Sequence, residues 1–165
     1  MKIGLVPGRF APLHKGHQKL IECALKEMDK VYVMIYKTDV IDIPISKRAE
    51  WIKKIYPEVN IIEANDGPDG RKFAYENGKE AEDIQNKYIV HKLNGIKVTH
   101  VYSGTFYGES VAKALEAENK YISIDLESLP VSGTKIRNSP YEYKDFMEEF
   151  VFDEYIKSRK GDNNE

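Results

Sequence analysis

Apolar and polar positions along this chain alternate between two periods. Residues 3–6 form a short apolar run, and residues 2–6 read as a first strand. Leu20, Ile21, Ala24, Leu25 and Met28 then recur at helical spacing, which predicts an amphipathic helix. Residues 31–36, Val-Tyr-Val-Met-Ile-Tyr, are continuously β-prone, the pattern of a strand covered on both faces. Ser46 is a candidate cap for a second helix through residue 54, with Ala49, Ile52 and Ile55 on its apolar stripe. Residues 59–62 read as a third strand, and the turn-rich stretch 65–70 as a loop. A charged helix over 76–93 would end near Gly95, a C-cap. Residues 97–102 and 121–124 read as further strands, separated by a helix over 108–117 with Val111, Ala114 and Leu115 inward. Helices are predicted over 134–138 and 141–157 after Pro130, and the polar residues 159–165 read as a disordered tail.

Strands separated by helices imply βαβ units and a parallel sheet of about five strands with helices on both faces. The fold class is α/β, with one domain over residues 1–158. Ligands on such sheets bind beyond the carboxyl ends of the strands, where strand order reverses. That directs attention to the loop leaving the first strand.

This loop reads Gly8-Arg9-Phe10-Ala11-Pro12-Leu13-His14-Lys15-Gly16-His17 and leads into a helical pattern. Unpaired N–H groups and the positive end of a helix dipole suit a polyphosphate. His14 and His17 stand three residues apart, about one turn, so both rings can face one ligand. Two cations, Arg9 and Lys15, accompany them, while Gly8 and Gly16 permit close backbone approach. A zinc site is the competing reading, but zinc wants three or four ligands, and His91, His100 and Cys23 are scattered. Far downstream, Ser132-Gly133-Thr134-Lys135-Ile136-Arg137 places hydroxyls and cations at another predicted helix start. Alone it reads as a helix cap with surface charges; beside the first loop it supplies donors and a bidentate arginine for a triphosphate.

Composition narrows the class. The 165 residues carry 25 basic and 27 acidic side chains, so no broad nucleic-acid or membrane surface is indicated. A single cysteine excludes an intrachain disulfide and fits a reducing compartment. No apolar run approaches membrane-spanning length and no signal-peptide pattern opens the chain, so the expectation is a cytoplasmic protein. Asn77-Gly78-Lys79-Glu80 superficially suggests a P-loop, but the upstream glycine and the Ser/Thr are missing.

Together, the histidine loop and the segment from Ser132 to Arg137 resemble the nucleotidyltransferase superfamily with an HxGH and an S-x-T-x-x-R signature. The form GRFAPLHKGH is similar to the nicotinamide mononucleotide adenylyltransferase branch. Residues 47–52, Tyr102-Ser103 with Tyr107-Gly108-Glu109, and residues 131–140 are similar to the adenylyltransferase domain of the bacterial bifunctional NAD-biosynthesis regulator family. The resemblance implies a single Rossmann-like domain. It also implies transfer of AMP from ATP to nicotinamide mononucleotide, giving NAD and pyrophosphate, with Mg2+ carried by ATP and no resident metal. By the family pattern His14, His17 and Arg137 are catalytic. His17 would contact the α-phosphate, and His14 would hold the phosphate chain. Arg9, Lys15 and Arg137 would neutralise charge, Ser132 and Thr134 with the backbone N–H groups at that helix start would cradle the triphosphate, and Gly16 would belong to the substrate-binding loop. Gly8 and Phe10 would line the nicotinamide side.

Arg48 matches an arginine that the family uses near phosphate; on residues alone it is equally a solvated helix charge. Trp51 packs on substrate or is a buried anchor. Neither the kinase domain nor the helix-turn-helix segment of the bifunctional family is present in the sequence, so the resemblance implies the transferase domain alone. The rival functions are transfer of an adenylyl or cytidylyl group to another phosphorylated acceptor, and a non-catalytic nucleotide sensor. A monomer and a homo-oligomer both remain open.

Overall fold

The β-prone run after the first helix forms a strand buried on both faces, as a continuous apolar run requires, and paired on both edges. The computed structural model describes residues 1–68, 78–104, 107–122 and 131–162. In chain order the elements are β1 (Ile3–Gly8), α1 (Lys15–Glu27), β2 (Lys30–Tyr36), α2 (Ile45–Ile55), β3 (Asn60–Ala64), α3 (Gly78–Leu93) and β4 (His100–Ser103). Next come α4 (Tyr107–Ala114), β5 (Glu118–Tyr121), α5 (Gly133–Asn138), a 3-10 turn (Lys144–Phe146) and α6 (Glu149–Asp162). The five strands run in the order β3-β2-β1-β4-β5. Every pairing is parallel, with Gly8 opposite Ile35 at the upper end of β1 and Gly4 opposite His100 at its lower end. Successive strands step outward from β1 in one direction, then β4 begins on its other side. The order therefore reverses beside β1, and the histidine loop leaves β1 at that point.

Side-chain alternation divides the core between the two faces of the sheet. Val6, Val31, Val33, Ile35 and Tyr102 point to one face, against Leu20, Ile21 and Ala24 of α1, Trp51 and Ile52 of α2, Ile136 of α5 and Val151 of α6. Leu5, Met34 and Val101, adjacent in sequence to residues of the first set, point to the other face, against Ile89 and Leu93 of α3 and Val111 and Ala112 of α4. This is an α/β Rossmann-like fold with a five-stranded parallel sheet covered on both faces.

Several boundaries differ from the sequence expectation. Pro44, not Ser46, precedes the first turn of α2, and no side chain caps it; a proline has no N–H to lose and its fixed φ suits a helix entrance. In α4 the inward residues are Val111 and Ala112, while Ala114 is exposed. β5 starts at Glu118, three residues ahead of the expected start, because its polar side chains conceal the edge strand from a hydropathy reading. The helix expected over 141–157 is broken: a turn and the 3-10 segment occupy 141–146, and α6 then runs through Asp162, into the segment expected to be tail. Gly95 and Asn94 both take positive φ after α3, as a C-cap demands. Expectations for residues 69–77, 123–130 and 163–165 lie outside the described residues.

Candidate active site

His14 fills a position normally left to serine or aspartate. It is the N-cap of α1, and its Nδ1 accepts from the Gly16 N–H at 3.0 Å. His17, one turn on, returns the bond: its Nδ1 accepts from the His14 N–H at 3.1 Å. This is a capping box made of two imidazoles. The rings stack with centroids 3.7 Å apart and an interplanar angle of 25°. His17 thus lies on the helix rather than in the loop, and the Gly16 N–H is engaged within the cap.

The geometry fixes the protonation state. A ring nitrogen that accepts from a backbone N–H cannot carry a proton, which assigns the hydrogen to Nε2 on both rings. Burial and the nearby Arg137 guanidinium lower the His14 pKa to about 4. Burial, His14 and Arg9 hold His17 well below the usual histidine range. At neutral pH the pair is uncharged, and each ring keeps one Nε2–H donor. A charged imidazole here would lose its cap bond and set a cation against its stacked neighbour.

The loop before the histidines is held from beneath. Phe10 has φ of +52°, a left-handed conformation costly for an aromatic residue. Its ring is buried, edge-on to His17 with centroids 4.8 Å apart. A Cβ on Gly8 would approach that ring to 3.2 Å, so the glycine makes room for it. The Phe10 ring supports His17 from beneath.

Arg48 is 2% exposed and is not a solvated helix charge. Its Nη1 donates to the carbonyls of Arg9 at 2.6 Å and Tyr36 at 2.9 Å, and its Nε to Ile43 at 3.2 Å. It clamps together the backbone beyond β1, the end of β2 and the approach to α2. Trp51, 1% exposed, is the buried anchor: its Nε1–H donates to Glu154 of α6.

The second motif meets the first directly. Arg137 Nη1 donates to the Ala11 carbonyl at 2.7 Å, and Nη2 to Thr134 Oγ1 at 3.2 Å. Gly133 allows this approach, since a Cβ there would lie 2.8 Å from Arg137 Nη1 and 3.4 Å from the Ala11 oxygen. Ser132 caps α5, its Oγ accepting from the Lys135 N–H at 3.1 Å. A cleft opens beyond Arg137, between the segment after β2 and the end of α6, with Asp42, Tyr155 and Arg159 on its walls.

Glu148 and Arg159 join this region without any local sequence signal. Lys15 Nζ lies 2.5 Å from Glu148 Oε1, and Arg159 Nη1 donates to the Arg137 carbonyl at 2.7 Å. Only the fold brings α6 and the residue before it to both motifs. Among the described residues, no group of three or more His, Cys, Asp or Glu could hold a metal ion. No helix there is long and apolar enough to cross a membrane.

A helix start with paired neutral donors and converging arginines, at the reversal point of a parallel sheet, defines a nucleotide-binding domain of the Rossmann-like class. The cytidylyltransferase-like family matches residues 5–139, and the chain belongs to that family. A probable nicotinate-nucleotide adenylyltransferase of Nitratiruptor sp. is 28% identical over 95% of this chain and 98% of its own length. A phosphopantetheine adenylyltransferase of Mycoplasma capricolum is 37% identical over 38% of this chain and 46% of that protein. Among solved structures, a NadR protein in complex with NR superimposes with a TM-score of 0.57 at 25% identity, covering 92% of this chain and 44% of that one. This chain thus spans less than half the length of the Mycoplasma relative and of the NadR protein.

Proposed function

We propose that this protein transfers AMP from ATP to a pyridine mononucleotide, giving the dinucleotide and pyrophosphate. The observation that carries this reading is the Arg137–Ala11 bond, which joins the two motifs around a pair of neutral histidine donors. The relatives named nicotinate-nucleotide adenylyltransferase support an adenylyl donor and a pyridine acceptor. The acceptor favoured by the sequence is nicotinamide mononucleotide; its deamidated counterpart offers the same attacking phosphate.

An oxygen of the acceptor's 5′-phosphate forms a bond to the α-phosphorus of ATP, while the bond from that phosphorus to the β-phosphate oxygen breaks. Pyrophosphate leaves with the magnesium that ATP brought in as part of the substrate. The reaction is a direct displacement and calls for positioning and charge stabilisation rather than a protein nucleophile. The Nε2–H of His17 donates to the α-phosphate oxygens as their charge grows, and that of His14 to the phosphate chain. Neutral donors suit this task, because they bring no cation whose desolvation the buried site would resist. Arg137, Arg9 and Lys15 balance the remaining negative charge, and Thr134 orients Arg137. Arg48 acts through the loop, holding the Arg9 carbonyl.

Purified protein with ATP, magnesium and each pyridine mononucleotide in turn, followed for dinucleotide and pyrophosphate, tests the reading. The expected result is turnover with at least one pyridine acceptor, and a loss of about 10²-fold in kcat for His17→Ala. The likeness to phosphopantetheine adenylyltransferases makes phosphopantetheine the second acceptor to assay. Turnover with it and with neither pyridine mononucleotide would replace the proposed acceptor. Binding of ATP without turnover of any acceptor would point to a sensor.

A further inference from the structure

We infer that Glu148 sets how tightly this site holds a polyphosphate, by occupying Lys15 while the site is empty. The inference rests on the reading of the histidine loop as a polyphosphate site. Lys15 is the first residue of α1, where the positive end of the helix dipole disfavours an ammonium. Glu148 answers that charge. Its Oε1 lies 2.5 Å from Lys15 Nζ and accepts from Gln18 Nε2 at 3.2 Å, so one carboxylate oxygen bridges two successive turns of α1. The Lys15 contact and the Gln18 bond both hold the Glu148 carboxyl below the usual range. The main chain of Glu148 is fixed as well: its carbonyl accepts from the Phe152 N–H at 3.0 Å in the first turn of α6. A carboxylate is therefore built into the first turn of α1, where an anionic ligand would look for donors.

The pair is made to exchange. The Lys15 and Glu148 side chains are 38% and 34% exposed, so water and ligand reach both, and an ion pair of that exposure is weak. An arriving polyphosphate must take the ammonium from Glu148 or share it, and meets the carboxylate's charge in either case. The departing pyrophosphate meets the same charge, with Glu148 ready to reclaim Lys15. Glu148 thus lowers affinity for the phosphate chain and favours its release.

Calorimetric titration of the full chain with magnesium tripolyphosphate, which needs no turnover, tests this. Glu148→Gln keeps an acceptor for Gln18 and removes the charge. It is expected to bind about threefold to tenfold more tightly than the native protein at low ionic strength, with the gain shrinking at high ionic strength. Glu148→Asp, which keeps the charge but withdraws it, should fall between. In a Lys15→Ala background the gain from Glu148→Gln should shrink to the part owed to the carboxylate's own charge, a coupling that a merely structural role for Glu148 would not produce. Unchanged or weaker binding by both Glu148 variants would overturn the inference, as would a gain that Lys15→Ala leaves undiminished. Failure of the native protein to bind tripolyphosphate would instead overturn the site reading. Tightening without dinucleotide synthesis would leave the inference standing and the acceptor assignment overturned.

Discussion

On the face of the sheet covered by α1, α2, α5 and α6, directional bonds run through the apolar packing. Arg48 grips the Arg9, Tyr36 and Ile43 carbonyls, Trp51 reaches Glu154, and the two histidines cap each other. On the face covered by α3 and α4, Ile89, Leu93, Val98, Val111 and Ala112 pack against Leu5, Met34 and Val101. Polar ties on that side lie toward the rim: Asn86 to Ser110 at 2.8 Å, and Tyr88 and Lys92 to Asp66 at 2.6 and 3.1 Å. One sheet is thus held by two strategies. Volume suffices where the task is burial; fixed bonds appear where backbone and donors must be placed within a fraction of an ångström.

The contrast can be broken first at Arg48. Arg48→Met leaves the Arg9, Tyr36 and Ile43 carbonyls without this donor, and is expected to cost about 3–5 kcal/mol in urea unfolding with a large fall in activity. Ile89→Ala on the other face should cost about 2–5 kcal/mol, since it only leaves a cavity, yet keep kcat close to native under folding conditions. Comparable losses of activity in the two variants would erase the distinction between the faces.

The histidine cap sharpens the comparison through pH. The folded-state pKa of His14, about 4, lies below its unfolded value near 6.5. The unfolded chain therefore binds more protons than the folded one between those values, and stability falls as pH falls. The contribution is fully present above about pH 6.5, is lost progressively towards pH 4, and amounts to about 3 kcal/mol for this one group. Acid titration of unfolding free energy should reveal that slope. His14→Asn, which keeps an N-cap acceptor without a titrating ring, should flatten it. An unchanged slope in the variant would remove His14 as its source. The smallest effect is expected at Tyr88→Phe, which severs an exposed tie on the α3 face and should move Tm by about 2 °C or less.

The element order, the parallel sheet and the loop that carries the site were all legible in the sequence, because each rests on a local pattern. The run 31–36 could only be a strand buried twice, and the spacing of Leu20, Ile21 and Ala24 only one face of a helix. Ser132 was legible as a cap because serine caps helices commonly. His14 was not, because histidine rarely fills that position, and its role appears only when His17 closes the reciprocal bond. Arg48 departs from its reading as a solvated charge, because it is buried on main-chain carbonyls from three segments that no side-chain pattern reveals. Phe10 offered an aromatic ring that suggested a ligand wall; the positive φ that turns it under His17 has no composition signal. Glu148 was invisible for a simpler reason: what it touches lies 133 residues away along the chain, and Arg159 meets Arg137 across two elements.

That distance has a consequence for how the protein comes together. The bond between Arg137 and Ala11 closes a loop across a sequence separation of 126 residues. Closing so long a loop carries an entropic penalty that local helices and neighbouring strands do not face. Such a contact is expected to form after the neighbouring strands have paired. The meeting of the two motifs is therefore expected among the last contacts the polypeptide makes as it folds, and among the first lost when the α5–α6 segment detaches. A folding intermediate with its sheet intact would already look native by secondary structure while Arg137 still lay apart from the histidine loop.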